Sequence, residues 1–307
     1  MAARYNRAMS RPNILVLFTD DQRYDTIAAL GNGAISTPNL DRLVRRGVTF
    51  TQAHIPSGMV GAVCMPSRAM LHTGRGLYHL DGAGETIPER FALMGETLGR
   101  EGYTTFGTGK WHNGPDAFNR SFAGGGEIMF GGMADHWNVP MCDYDPTGSY
   151  DNVQPATRNW FGSNYVMHRH VDHIIPGAHS TDLVTGAAIE FLENVDQSQP
   201  FFTCVSVLAP HDPRTMPQRF LDMYDPATID LPASFAGEHA FEYGVRSIRD
   251  EKLETYPRTE DAVRRHIAEY YAMISHLDDA VGRIIGALER RGQLDDTIVV
   301  FAGDNGL

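Results

Sequence analysis

The chain has 307 residues, 42% apolar and 21% charged, the balance of a globular protein rather than a disordered one. Its 26 Lys and Arg against 38 Asp and Glu leave a formal charge of −12, which argues against nucleic acid or an anionic membrane as partner. The three cysteines are too few and too odd for a disulfide scaffold, and no apolar run has the length of a membrane span.

Residues 1–11 are a polar lead-in, expected to be mobile, with no apolar signal-peptide core. A reducing cytoplasm is therefore the expected compartment, with the periplasm or exterior left open if the N-terminus is processed. Asn13–Thr19 then reads as a strand buried on both faces. Thr37-Pro38 opens a helix with Thr as cap, Leu40, Leu43 and Val44 as inner stripe and Gly47 as terminator. Pro66 suits the first turn of another helix that runs through Ala69, Met70 and Leu71 to Gly74. Leu93, Met94, Thr97 and Leu98 mark a helix ahead of Gly102, and 104–107 a short strand. Residues 111–180 are rich in Gly, Trp, Tyr, Asn and His, with little periodicity; Gly124-Gly125-Gly126 within them reads as a flexible turn. A helix over 182–192 leads to a buried strand over 201–208. The Pro- and charge-rich segment 212–258 is again irregular. Thr259 caps a long helix with Ile267, Tyr270, Tyr271, Ile274, Leu277, Val281, Ile284 and Leu288 on its inner face, and 297–301 is a last strand.

This alternation predicts an α/β domain over 12–307, with a mainly parallel central sheet and helices on both faces. Such sheets bind ligands beyond the carboxyl ends of their strands. Asp20 and Asp21 follow the first strand, Lys110 and His112 the second, His211 the third, and Asp304 and Asn305 the last. An Asp after one strand is ordinarily a turn or cap; four strands delivering such groups to one edge point to a site. The two irregular segments follow polar strand ends and are expected to line the same pocket.

Asp20, Asp21, Asp304 and Asn305 form an all-oxygen set, suited to a hard cation such as Ca²⁺, or Mg²⁺, rather than Zn²⁺. Cys64 sits at a helix N-terminus, where the dipole is expected to lower its pKa, and Arg68 shares its face one turn on.

Cys64-Met65-Pro66-Ser67-Arg68, followed by Ala69-Met70-Leu71-His72-Thr73-Gly74-Arg75, resembles the signature of the type I sulfatases of the alkaline phosphatase superfamily. The Asp20-Asp21 pair, Gly109-Lys110-Trp111-His112, Ala209-Pro210-His211, the helix from Tyr271 to Asp278 and Gly303-Asp304-Asn305-Gly306 extend the likeness, in order, from about Pro12 to the last residue. The resemblance implies that Cys64 is oxidised to formylglycine by a sulfatase-maturing enzyme, and that Asp20, Asp21, residue 64, Asp304 and Asn305 hold Ca²⁺. It implies attack of the hydrated aldehyde on a sulfate monoester, followed by breakdown of a sulfated hemiacetal. Arg68 and Lys110 would supply positive charge, His112 the base for hemiacetal breakdown, and His211 assistance to the leaving oxygen. The substrate would be a small-molecule or carbohydrate sulfate ester; a homo-oligomer is left open.

The alternatives are a phosphonate monoester or phosphodiester hydrolase with the same nucleophile, and an inactive anion- or glycan-binding relative. A thiol enzyme using unmodified Cys64 would leave the oxygen ligands without a role. The family also implies a second active-site Lys further downstream and a C-terminal subdomain. Neither falls within residues 1–307, so the chain reads as the N-terminal part of a longer protein. Outside the motifs, His168, His170, His173 and His179 fit no zinc spacing and read as solvated or hydrogen-bonded loop residues, with sugar or sulfate contacts as the alternative. Trp137, Tyr144, Trp160 and Tyr165 either stack on a substrate ring or pack the insertion. Asp212 and Arg214 read as surface ion pairs, and Cys142 and Cys204 as inert.

Overall fold

The structure, a computed structural model, describes residues 11–56, 63–80, 84–157, 164–238, 241, 244 and 249–306. The lead-in before Arg11 lies outside them. β1 (Asn13–Thr19) alternates its side chains between two apolar layers, which is why its sequence is continuously apolar. Leu15 and Leu17 enter one layer with Val205, and Val16 and Phe18 enter the other with Phe202 and Cys204. The first layer takes Leu40 from α1 (Pro38–Arg46), Val184, Ala188 and Leu192 from α5 (Ser180–Asn194), and Leu277, Val281 and Ile284 from α7 (Glu260–Arg290). The second takes Ala69 from α2 (Cys64–Thr73), Leu93 from the entry to α3 (Met94–Arg100), and Phe118 from α4 (Pro115–Ser121).

Between the layers lies a five-stranded sheet. β2 (Thr104–Lys110), β3 (Gly124–Met129), β6 (Phe201–Ser206) and β7 (Thr297–Gly303) join β1 in the order β3-β2-β6-β1-β7. Every neighbouring pair is parallel. β4 (Val153–Thr157) and β5 (Val166–His170) form a separate antiparallel ribbon. The N-terminal half of α7 is covered by Ile35, Ile229 and Phe220 of the short helix α6 (Gln218–Leu221).

The expected layer arrangement is therefore present, and Thr259 caps α7 as expected, its Oγ1 accepting from Ala262 N at 3.2 Å. Three local expectations are corrected. Gly124-Gly125-Gly126 is not a flexible turn but the start of β3, paired with Phe106, Gly107 and Thr108 of β2. Its glycines have little strand propensity, and pairing supplies what propensity does not. β2 itself runs on to Lys110. Thr37 does not cap α1 with its side chain: its Oγ1 accepts from Ala28 N and donates to Asp41. The cap comes from α7, where the buried Asp278 carboxylate accepts from Leu40 N at 2.7 Å and Asn39 N at 3.1 Å.

Candidate active site

Because the sheet is parallel, the carboxyl ends of β1, β2, β6 and β7 share one edge. Backbone bonds carry the register past the strand ends: Asp304 N donates to Thr19 O at 2.9 Å, and Asp20 N to Ala209 O at 3.3 Å. β2 reaches this edge through a bulge at Thr108/Gly109. Gly109 has φ +85°, and a Cβ there would meet Ser206 O at 1.9 Å, so only glycine lets β2 turn Lys110 inward against β6. Asp21 (φ 60°) and His112 (φ 68°) are also left-handed, a conformation that costs a non-glycine residue and clusters at functional sites.

The edge holds a dense charge cluster. Lys110 Nζ bonds Asp20 Oδ2, and both are buried. Arg68 is buried one turn into α2, with Nη2 3.0 Å from Asp304 Oδ2 and 3.8 Å from Asp20 Oδ1. Its Nη1 donates to Lys110 O at 2.8 Å and to Ser206 Oγ at 2.5 Å. Asp21 N donates to Asp304 Oδ1 at 3.0 Å. Burial works against ionisation of Asp20, but Lys110 and Arg68 outweigh it and hold the carboxyl below its ordinary value. Burial and the Asp20 charge push Asp304 up to about 6. Three carboxylates against two cations leave one excess negative charge in a dry site.

Cys64 lies within this cluster, with Sγ 3.7 Å from Asp21 Oδ1 and 3.6 Å from Asn305 Nδ2. The expectation of an acidified thiol is overturned. Burial, then the charge of Asp20, pushes Cys64 far above its ordinary pKa, with Asp304 and Asp21 adding to it. A helix dipole of about half a charge does not compensate three carboxylates. An unmodified Cys64 is a protonated, poor nucleophile here.

The same groups fit a cation. Asp20, Asp21, Cys64 and Asp304 each offer a ligand atom within 4.8 Å of the others. Asp20 Oδ1 is buried without a hydrogen-bond partner among the described residues, a costly state that a cation would relieve. The carboxylates suit a hard ion and the sulfur does not; an oxygen at position 64 would make the set uniform. Asn305 turns its Nδ2 toward Cys64 and Asp304 Oδ1, so ligation through its oxygen needs the amide turned over.

The two histidines stand on separate elements. His112 is pushed down to about 3 by burial and by Lys110 and Arg68, so its imidazole is neutral. Its Nδ1 has no partner among the described residues. His211 places Nδ1 2.8 Å from Asp212 O, so that nitrogen carries a hydrogen, and Nε2 3.4 Å from Asp21 Oδ2. All the residues expected at the site are thus at one edge.

The Sulfatase family model matches residues 12–307. The chain belongs to the sulfatase family. An ulvan-active sulfatase of Formosa agariphila is 29% identical over 306 residues, which cover 97% of this chain and 51% of that protein. A protein solved with its substrate D-glucosamine-2-N,6-O-disulfate superposes with a TM-score of 0.69 at 21% identity, over 96% of this chain and 65% of that one. The phosphonate monoester hydrolase of Agrobacterium radiobacter superposes at 0.67 with 24% identity, over 96% and 62%. These likenesses support the parallel α/β architecture. The chain spans about half the length of the ulvan-active relative.

The site of this sulfatase-family chain also holds residues to which the sequence reading gave no role. Ser67 Oγ bonds Asp304 O, and Ser206 Oγ holds Arg68. Asn113 Nδ2 reaches Met65 O at 3.0 Å, tying the His112 turn to the start of α2. Tyr270 Oη donates to Asp21 O at 2.6 Å and accepts from Arg23 N, holding the strained Asp21 turn. Ser67 lies inside the Cys64–Arg68 signature and Tyr270 on the inner stripe of α7, whereas Ser206 and Asn113 carried no signal. Away from the site, His168 and His170 lie not in a loop but in β5, paired with Pro155 and Val153, while His170, His173 and His179 are hydrogen-bonded, to Tyr150 O, Glu127 and Thr215 O. Tyr144 bonds Phe122 O and Trp137 packs on His179, so both pack the protein. Tyr165 is exposed, and Trp160 lies outside the described residues. Asp212 pairs with Arg249, and Arg214 with Glu269 and His266. Burial pushes the Cys142 and Cys204 thiols up to about 12, consistent with inert side chains.

Proposed function

We propose that the protein hydrolyses a sulfate monoester, of a carbohydrate or small alcohol, with residue 64 matured to formylglycine and Ca²⁺ held by Asp20, Asp21, Asp304 and Asn305. The observation that carries this reading is Cys64 seated among three carboxylates, where a thiolate is disfavoured and an oxygen-ligated cation is favoured. The hydrated aldehyde would supply the nucleophile, and Ca²⁺ would neutralise carboxylate and ester charge. Arg68 and Lys110 add fixed positive charge against an ester that is already anionic. His112, neutral and with Nδ1 unpartnered, is poised to take a proton after the alcohol has left. His211, with its Nδ1–H held by Asp212 O, presents Nε2 toward Asp21 and the pocket, where a protonated ring can donate to the leaving oxygen. A maturing enzyme that oxidises Cys64 is the implied protein partner.

The test is peptide mass spectrometry joined to kinetics. The Cys64 peptide of active enzyme should be lighter by about 18 Da, the change from thiol to aldehyde. Full activity with wholly unmodified Cys64 would overturn the proposal. Side-by-side rates on an aryl sulfate and an aryl phosphonate monoester decide the second reading, which the phosphonate hydrolase fold neighbour motivates. Higher kcat/KM on the phosphonate would replace the sulfate assignment.

A further inference from the structure

One loop touches both histidines. After β3 the chain passes Gly132, whose backbone lies against the His112 ring: a Cβ at 132 would meet Nε2 at 2.6 Å and Cε1 at 2.7 Å. Four residues on, buried His136 places Nε2 2.9 Å from the carbonyl oxygen of His211. Its Nδ1 is 2.7 Å from Ser180 Oγ. A carbonyl only accepts, so Nε2 carries the hydrogen and Nδ1 accepts from the Ser180 hydroxyl. The loop is itself fastened. Ser180 N donates to His136 O at 2.8 Å, and the His136 ring stacks on His179 at 5.0 Å and 3°.

We propose that Gly132 and His136 are positioning residues, and that the loop 130–136 seats both histidines as one strap. The inference rests on the roles given above to His112 and His211. His112 has a left-handed backbone and no partner at Nδ1, so its ring direction depends on packing, and the bare backbone of Gly132 is what lets the ring lie where it does. His211 follows a turn, and the His136 donor fixes its carbonyl and hence the reach of Nε2 toward Asp21. Misplacement of a reacting group by about 1 Å can cost about 10²-fold in rate.

The experiment uses the matured full-length enzyme with Gly132→Ala, His136→Leu and His136→Gln, a leaving-group series of aryl sulfates, rapid quench, and imidazole ¹⁵N NMR. His136→Leu should slow first-turnover alcohol release about 10–100-fold for basic leaving groups, and less for acidic ones, with KM little changed. His136→Gln, which keeps an N–H donor, should recover most of the loss. Gly132→Ala should release the first alcohol normally and then accumulate enzyme carrying sulfate at residue 64. Each variant should shift the ¹⁵N signal of its own histidine and leave Ca²⁺ affinity unchanged. Equal loss in both steps, tracking a lowered Tm, would overturn the proposal in favour of general destabilisation. If wild type hydrolysed no sulfate ester, the catalytic reading would fall; unchanged His112 and His211 signals in the variants would overturn the seating in either case.

Discussion

Two buried carboxylates, Asp278 at the α1–α7 junction and Asp20 at the sheet edge, show how burial means structure in one place and chemistry in another. Asp278 accepts from two backbone N–H groups and from Asn39 Nδ2, so both its oxygens are used. Asp20 spends one oxygen on Lys110 and leaves the other without a hydrogen-bond partner among the described residues, only ion-paired to Arg68 at 3.8 Å and grouped with Asp21, Cys64 and Asp304. The imidazoles divide in the same way. His136 and His179 are bonded through both ring nitrogens, whereas His112 keeps Nδ1 free of partners among the described residues. A satisfied buried polar group orders the fold around it; an unsatisfied one holds a cost that a ligand can relieve.

The largest test of this contrast removes the charge from the unsatisfied carboxylate. Asp20→Asn should abolish Ca²⁺ binding in titration calorimetry and lower kcat/KM by about 10²–10³-fold or more, the range for losing one preorganised charge-stabilising group. Added Ca²⁺ should raise the Tm of the wild type and not of the variant, because only a state that binds the ion is stabilised by it. Retention of Ca²⁺ binding with activity within tenfold would break the comparison.

Much of this was legible in the sequence, for local reasons. Asn13–Thr19 shows itself because a strand covered on both faces must be apolar throughout, and Thr259 because an N-cap is satisfied three residues away. The residues after the strands come together because parallel topology gives them no other edge. What escaped depends on contacts distant in sequence. β3 is held by β2 and not by its glycines, and the α1 cap lies 238 residues from Leu40. The Cys64 pKa was expected in the wrong direction because the helix terminus is local, while the burial that raises it most comes from the whole fold and the carboxylates that add to it follow β1 and β7. Gly132 and His136 carry no signature, since any loop holds glycines and most buried histidines are structural.

A second test reads two buried imidazoles through acid, His179 bonded at both ring nitrogens and His72 with Nδ1 unpartnered among the described residues. Burial pushes His72 and His179 down to about 3, the latter with help from His136 and His276. In the unfolded chain they titrate near 6.5, so between about pH 6.5 and 3 the unfolded state binds more protons. Their contribution to stability is full above about pH 7 and is lost as pH falls through that window, at up to about 1.4 kcal/mol per pH unit for each imidazole. Urea midpoints measured from pH 7 to 5 should fall accordingly, and His179→Gln should make the fall shallower by about one proton. A fall of the same steepness in the variant would mean that His179 is not the neutral, structural imidazole its bonds describe.

The smallest effect is expected at Asp278, and it isolates the structural half of the contrast. In Asp278→Asn an NH₂ group replaces one acceptor oxygen and faces N–H donors of Asn39 or Leu40, leaving a donor of the α1 N-terminus without its partner. Loss of such a cap costs about 0.5–2 kcal/mol. The urea midpoint should drop with the m-value unchanged, since the surface exposed on unfolding is the same. α1 packs Leu40 into the layer below the sheet, whereas the Asp20 cluster is held by α2, β2 and β7, so the loss should stay on the helical side. Ca²⁺ affinity and kcat should therefore match the wild type. A parallel fall in Ca²⁺ affinity would show that the α1–α7 junction and the sheet edge form one coupled unit, and that the division between structural and functional carboxylates is false for this protein.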